Sequence, residues 1–380
     1  MKLLYCIPSL CNAGGMERVI SEKVNYLINL PNYEITIVTT DQKGKDIRFP
    51  LDKRIRLVHL NIDFDGHFSE NLFKKYILHQ RKIKIYKRKL VQLIKELEIH
   101  ICLSLCGKEI DFLASLPVKC KKIGEIHFAM NVRKQFLTSR KKGFLWSFLG
   151  EIRTRQLKKA TKGLDTLVVL TKADLEQWQP THKNTIQIPN PNPLDNKSVS
   201  TLLNKRVISV GKLDAQKGYD MLVEAWQLVA IRHPDWVLAI FGEGEWESKL
   251  RSRIKELDLE GTINLCGNTV DIVSQYLDSS IYVMSSRYEG LPMVLIEAMS
   301  CGLPIVSFDC EYGPRELIIE GKSGLLVPPN NLEQLAEKIC ILIEDENLRI
   351  KMGIKALEGV RKYAKEPIMH QWIDLFEQLA

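Results

Sequence analysis

The 380-residue chain has no apolar run near the ~20 residues that cross a bilayer, no CxxC pair, no complete GxGxxG and no low-complexity tract. The first absence argues against a spanning helix. The second argues against a zinc knuckle, because Cys102 and Cys106 are four apart in an apolar run. The nine cysteines, an odd number, read as buried thiols in a reducing compartment. The third argues against the common dinucleotide fingerprint. The start, MKLLYCIPSLCNAGG, carries one lysine and is broken at Pro8, so it reads as a first β-strand and not as a signal peptide.

What is present is ordinary in bulk and uneven along its length. Hydrophobic residues make up 45% and charged residues 26%, as in a soluble globular protein long enough for two cores. The net charge of +8 hides an asymmetry. Residues 1–190 hold 34 Lys and Arg against 18 Asp and Glu, and residues 191–380 hold 20 against 28. A basic half of that size points to a polyanion: a nucleic acid, an anionic lipid surface or a diphosphate-linked substrate.

Short apolar runs such as KLLYCIP, EITIVTT, IHICLSL, KKIGEIH and DTLVVLT alternate with helical patterns in the first half. Such alternation means a parallel sheet covered on both faces. IPNPNPLDNKSVSTLLNK interrupts it, because its prolines cannot continue a helix or an interior strand. Alternation then restarts at RVISVGKL and runs through WVLAIFGEG, INLCGN, IYVMSS, PIVSFD and GLLVPP. The expected domains are therefore 1–190 and 205–365, joined by a linker at 191–204. A last helix at 366–380, beginning after Pro367, is expected to pack back on the first domain. The fold class is α/β: two doubly wound, Rossmann-like domains facing across a cleft, with ligands at the carboxyl ends of strands.

Three stretches could carry chemistry. In SVGKLDAQKGYDML a strand ends, a glycine turn follows, and Lys212 and Lys217 flank a helix start. Two cations beside helix-terminal N–H groups suit a diphosphate; a turn with two solvated lysines is the alternative. In AIFGEGEWE, Gly242 and Gly244 lie between a strand and a helix, where a close ligand approach or a plain tight turn both fit. In YEGLPMVLIEAM, Glu289 lies at a strand's carboxyl end and Glu297 inside the next helix. A carboxylate at a helix start is explained by the dipole alone. Glu297 is not, because Val294, Leu295, Ile296, Ala298 and Met299 surround it, and a buried acid needs a partner. Carboxylates accept paired hydrogen bonds from sugar hydroxyls.

EGLPMVLIE resembles the E-x7-E signature of the retaining glycosyltransferases of family 4, which have the GT-B fold. VGKLDAQKG, FGEGE, LCGN, CGLPIV and GPRELI are similar to further segments of that family, in its order, and GGMERV and EIHFAM to segments of its first domain. The match is densest over 205–330. The resemblance implies roles. Lys212 and Lys217, with Gly211, Gly242, Gly244, Gly267 and Asn268, would hold the diphosphate side of the donor. Glu297 would bind its ribose. Glu289, Gly290 and Leu291 would hold the transferred sugar, and Gly14 and Gly15 would open the first helix to the phosphates. Glu289, Lys217 and His127 are the expected catalytic residues. The family usually has arginine where this chain has Lys212, which keeps the charge and loses the bidentate fork.

The implied reaction is transfer of a hexose from a nucleotide-diphosphate sugar, a UDP-sugar first and a guanosine one second. The acceptor would be a polyprenyl-diphosphate-linked or glycan acceptor in surface polysaccharide assembly, and anomeric configuration would be retained. No cofactor or metal is expected. Asp63-x-Asp65 has the spacing of a metal-binding DxD, but it lies in a polar loop without a matching strand. Basic residues at Lys74–Lys89, and at Arg133–Lys159 among Phe136, Phe144, Trp146 and Phe148, suit an anionic membrane surface. That would place the protein peripherally on the inner face of the plasma membrane. Nucleic acid is not expected, because no recognition motif accompanies the charge. A nucleotide-sugar epimerase of similar fold and a non-catalytic binding subunit are the alternatives.

Overall fold

The computed structural model describes residues 1–12, 14–64, 72–130, 144–194 and 197–380. It holds two parallel sheets. The first contains β1 (Lys2–Ile7), β2 (Glu34–Thr39), β3 (Arg56–His59), β4 (Ile101–Ser104), β5 (Lys121–Ile126), β6 (Thr166–Val169) and β7 (Thr185–Gln187), in the order β3-β2-β1-β4-β5-β6-β7. The second contains β8 (Arg206–Val210), β9 (Val237–Phe241), β10 (Ile263–Gly267), β11 (Ile281–Met284), β12 (Ile305–Phe308) and β13 (Gly324–Val327), in the order β10-β9-β8-β11-β12-β13. Both repeat the doubly wound order in which the chain starts at the centre, builds outward, then returns to the other side. The reversal falls between β1 and β4 in one sheet and between β8 and β11 in the other. There the carboxyl ends of strands splay apart and make room for a ligand.

The strand sequences explain their position. β11 (IYVM) and β12 (IVSF) are buried at every residue, as expected of strands with helices on both faces. In the first unit, one face of the sheet packs Leu3, Tyr5 and Ile37 against the helix Gly15–Leu27. The other packs Leu4, Cys102 and Leu167 against the helix Leu72–Glu96 through Tyr86 and Leu90. The second unit gathers Val207, Leu238 and Val283 with Trp226 and the helix Leu332–Glu344.

Among the described residues, the chain divides into one unit within 1–130, 149–193 and 366–380 and another of 144–148 and 194–365. The stretch read as linker thus belongs largely to the second unit. Ser200 N–H donates to Cys301 O at 2.8 Å, and the buried Arg349 guanidinium donates to Leu202 O at 3.0 Å. The last helix is longer than its sequence suggests. It runs over Lys365–Leu379, with Pro367 inside its first turn, where a missing N–H costs nothing. It packs Ile368, Met369, Trp372 and Phe376 into the first unit's core.

The cysteines also depart from the reading. All nine are free, but Cys266 is exposed and Cys11 and Cys106 are half-buried. Cys266 sits on β10, an edge strand whose residues alternate between covered and open.

Candidate active site

In the second unit, the candidate side chains come from the loops after β8 and β11, on either side of the reversal. The β8 loop is short and turns hard at Gly218, which has φ +67° and caps the helix Tyr219–Arg232. A Cβ there would stand 2.2 Å from Ser285 O, so only glycine lets the two loops touch. Three bonds then lace them together. Ser285 Oγ donates to Lys217 O at 2.9 Å, Arg287 N–H to Gln216 O at 2.8 Å, and Gln216 Nε2 to Tyr288 O at 3.1 Å. Arg287 also clamps both carboxylate oxygens of Asp220, at 3.0 and 2.7 Å.

The lacing brings Lys217 and Glu289 together. Lys217 Nζ donates to Glu289 Oε1 at 2.7 Å, and the side chains are 19% and 7% exposed. Burial alone would pull the Lys217 ammonium down; the Glu289 carboxylate outweighs it, and the pKa is raised. The lysine therefore stays charged, with donors left over for an anion. The nearby Cys310 thiol is pushed up, first by burial and then by the Glu289 charge, and stays protonated.

Glu297 lies on the helix Met293–Ser300, which Pro292 caps. It is buried, and Tyr276 donates its hydroxyl to Oε2 at 2.9 Å. Burial and the Glu297 charge raise the Tyr276 pKa well above the ordinary phenol range, so the phenol keeps its proton. A partner for the buried Glu297 is thus a tyrosine from the helix Ile272–Leu277. Gly313 packs beneath the Glu289 loop, where a Cβ would stand 2.4 Å from Gly290 O. Gly290 and the buried Leu291 complete that loop.

The remaining residues expected to bind the donor are less uniform. Gly242, φ +138°, would push a Cβ to 2.0 Å from Gly211 O, and a Cβ at Gly244 would meet Leu213 O at 2.3 Å. Both glycines thus serve backbone packing between the turns after β8 and β9, where Gly211 N–H donates to Phe241 O at 2.9 Å. Gly267 has φ +66° with open space around it, and Asn268 is exposed. Lys212 does not join Lys217. Its side chain is 67% exposed and reaches only Asp214, at 4.0 Å.

In the first unit, Gly14 caps the helix Gly15–Leu27. The carboxylate of Glu17 folds back against it, 2.4 Å from where a Gly14 Cβ would lie, and accepts from Asn12 Nδ2 at 3.0 Å. The positive end of this helix is already faced by an acid of its own. His127 follows β5, its side chain 8% exposed, with Nε2 3.1 Å from Glu125 Oε1. Glu125 is wholly buried and takes two bonds from Lys23 Nζ, both at 2.7 Å. Burial would raise the Glu125 carboxyl, but the Lys23 ammonium overcomes it and holds the pKa at about 2. The sequence reading had His127 without Lys23 or Glu125. Lys23 could have been noticed as a charge on the inward stripe of its helix, with Val19, Ile20 and Leu27.

Two sequence features lie partly or wholly outside the described residues: Asp65 of the DxD and the basic stretch from Arg133 to Lys142. Asp63 forms an ion pair with Lys43 at 3.0 Å. No helix among the described residues is long and apolar enough to cross a membrane.

Comparison with known proteins supplies the class. The profile of glycosyl transferases group 1 matches residues 194–358. An uncharacterized glycosyltransferase of Haemophilus influenzae is 32% identical over 98% of both chains. The amylovoran biosynthesis glycosyltransferase AmsD of Erwinia amylovora is 28% identical over 98% of this chain and 99% of its own. Among solved structures, an S. aureus TarM mutant in complex with fondaparinux, alpha-GlcNAc-glycerol and UDP superposes with a TM-score of 0.78 at 19% identity, covering 99% of both chains. The fold is GT-B, and the chain belongs to the group 1 glycosyl transferases.

Proposed function

We propose that the protein is a retaining hexosyltransferase of the family 4 type, with a UDP-sugar as donor. The observation that carries this is the Lys217–Glu289 pair, held at the carboxyl ends of β8 and β11 by a glycine that admits no substitute. A nucleotide diphosphate leaves readily once its charge is met, and a half-buried ammonium whose pKa is raised by Glu289 meets it. Lys217 faces the diphosphate; Glu289 accepts from hydroxyls of the transferred sugar; Glu297, beside the Tyr276 hydroxyl, accepts from the ribose diol. The ammonium supplies the neutralisation, so the reading calls on no metal ion. Retention follows if the acceptor hydroxyl attacks on the leaving-group face, with no covalent step on the protein. The TarM complex supports the nucleotide, because that neighbour was crystallised with UDP.

The acceptor belongs to surface polysaccharide assembly, as the name of AmsD suggests by kinship, and is glycan or lipid-linked. The helix Leu72–Glu96 favours a lipid-linked acceptor. It exposes Tyr76, Ile77 and Ile85 among Lys74, Lys75, Arg81, Lys84 and Arg88, a mixture suited to an anionic bilayer surface on the cytoplasmic side.

Incubation of the protein with a panel of nucleotide sugars, with and without lipid-linked acceptor, tests the reading. Nucleotide release that depends on acceptor is expected. Release without acceptor would instead favour an epimerase, and donor binding without release a silent subunit. Flotation with liposomes containing or lacking anionic lipid tests the surface; equal absence from both lipid fractions removes it.

A further inference from the structure

We propose that the buried Lys23–Glu125 pair is a positioning device for His127, which keeps the ring proton on Nε2 and so presents Nδ1 as an acceptor to a ligand hydroxyl. The inference rests on the expectation that His127 is a catalytic residue.

The geometry begins with the strand period. Glu125 and His127 are two residues apart at the end of β5, so both lean to the sheet face covered by the helix Gly15–Leu27. Lys23 projects from that helix and takes both Glu125 oxygens, at 2.7 Å each. Its ammonium also lies 3.5 Å from the ring centroid of Trp372, on the last helix, and 6.0 Å from that of Tyr5. The carboxylate is thus fixed from behind, and its Oε1 stands 3.1 Å from His127 Nε2. Nε2 is closed to solvent and makes no hydrogen bond among the described residues. An anion there still favours a proton on Nε2 over a bare lone pair. On the other side, the Asn190 amide nitrogen approaches Nδ1 at 3.5 Å. An N–H donor at Nδ1 selects the same tautomer. The Asn190 bond is long, so Nδ1 can exchange it for a ligand hydroxyl.

Stability does not account for the pair. Two charges at 1% exposure are desolvated at a cost, and apolar residues of equal volume commonly hold such a place as well or better. The member of the group that reaches an accessible edge is His127, and it is the one the charges serve.

The test is the double change Lys23→Met with Glu125→Met, which removes both charges and keeps the volume. His127 ring nitrogens are read by 15N NMR, with His127→Ala to assign them, and turnover is measured beside them. The expected result is a folded protein whose ring shifts move toward mixed tautomers. Its kcat falls about tenfold or more, with donor KM little changed. Asn190→Ala is the second variant, should the double change disturb the core, and moves the shifts in the same direction. Unchanged ring shifts in the folded variant overturn the proposal. Full turnover by His127→Ala overturns the catalytic role of His127 while leaving the tautomer result standing, so the two failures are distinguishable.

Discussion

The two units each hold a Lys–Glu pair with the same 2.7 Å contact, in opposite settings. Lys23 and Glu125 are sealed between a sheet and its helix, at 1% exposure each. Lys217 and Glu289 sit on two loops, one at 19% and the other at 7%. The first pair has its geometry set by secondary structure on both sides. The second has its geometry set by loop lacing around Gly218, and keeps donors and acceptors for something else. Equal distances thus carry different jobs: the inner pair holds a neighbour in place, and the outer pair is open to a ligand.

The comparison breaks most visibly through stability. Lys23→Ala leaves Glu125 buried without its cation and removes the packing on Trp372. The expected loss is about 3–5 kcal/mol, read as a fall in denaturant midpoint. Lys217→Ala should cost no more than about 1–2 kcal/mol, because water reaches its loop and can solvate Glu289. Similar losses at the two sites would mean that the settings differ less than the burial implies.

Activity should show the reverse order of importance within the second unit. Glu289→Ala and Lys217→Ala are each expected to lower acceptor-dependent nucleotide release about 10²- to 10³-fold, with the fold retained by circular dichroism. The double replacement should cost little more than either alone, because the pair acts as a unit. Full turnover after either single change would reduce the outer pair to the same structural status as the inner one.

Acid sharpens the contrast by acting on one pair. The Glu125 carboxyl is held at about 2 in the folded protein against an ordinary 4.5. A depressed carboxyl contributes stability that is complete above the unfolded value and drains away as pH falls through the folded one. The window is therefore about pH 4.5 down to 2, and the loss is on the order of a few kcal/mol. The Lys23→Met, Glu125→Met protein lacks that carboxyl, so its stability should fall less over the same window in urea titrations. The Lys217 pKa is raised, which moves its share of stability to the alkaline side: present below 10.5, lost above.

How much of this could be read in advance follows from the range of each interaction. The two sheets were legible because apolar runs alternating with helical patterns require no knowledge of distant partners. Glu289 and Glu297 were legible because an acid among Val294, Leu295 and Ile296 is a local contradiction that calls for a partner. The identity of that partner was not. Tyr276 lies 21 residues from Glu297 in sequence and meets it only once β11 is in place. Lys23 and Glu125 are 102 residues apart, and neither β1–β5 order nor helix rotation is written locally. Pro367 reads as a helix breaker in sequence because its position in the first turn depends on where the helix starts, two residues earlier.

Lys212 is the finest test of the comparison, and the smallest in size. Sequence spacing couples it with Lys217, while the structure separates them: one is two-thirds exposed and 4.0 Å from Asp214, the other is bonded to Glu289. An exposed lysine on a flexible stem attracts a diphosphate from solvent, and holding it in place costs rotamer freedom that a buried side chain has already given up. Lys212→Ala should therefore raise donor KM about 2- to 5-fold, under about 1 kcal/mol, with kcat nearly constant. The effect should shrink as salt is raised from 50 to 500 mM, since only a solvent-side charge is screened on that scale. Lys212→Arg restores the fork that carboxylate and phosphate oxygens match, and should lower KM below that of the parent chain. A kcat collapse in Lys212→Ala, insensitive to salt, would place both lysines in one rigid anion cradle and erase the distinction between a residue that captures the donor and one that acts on it.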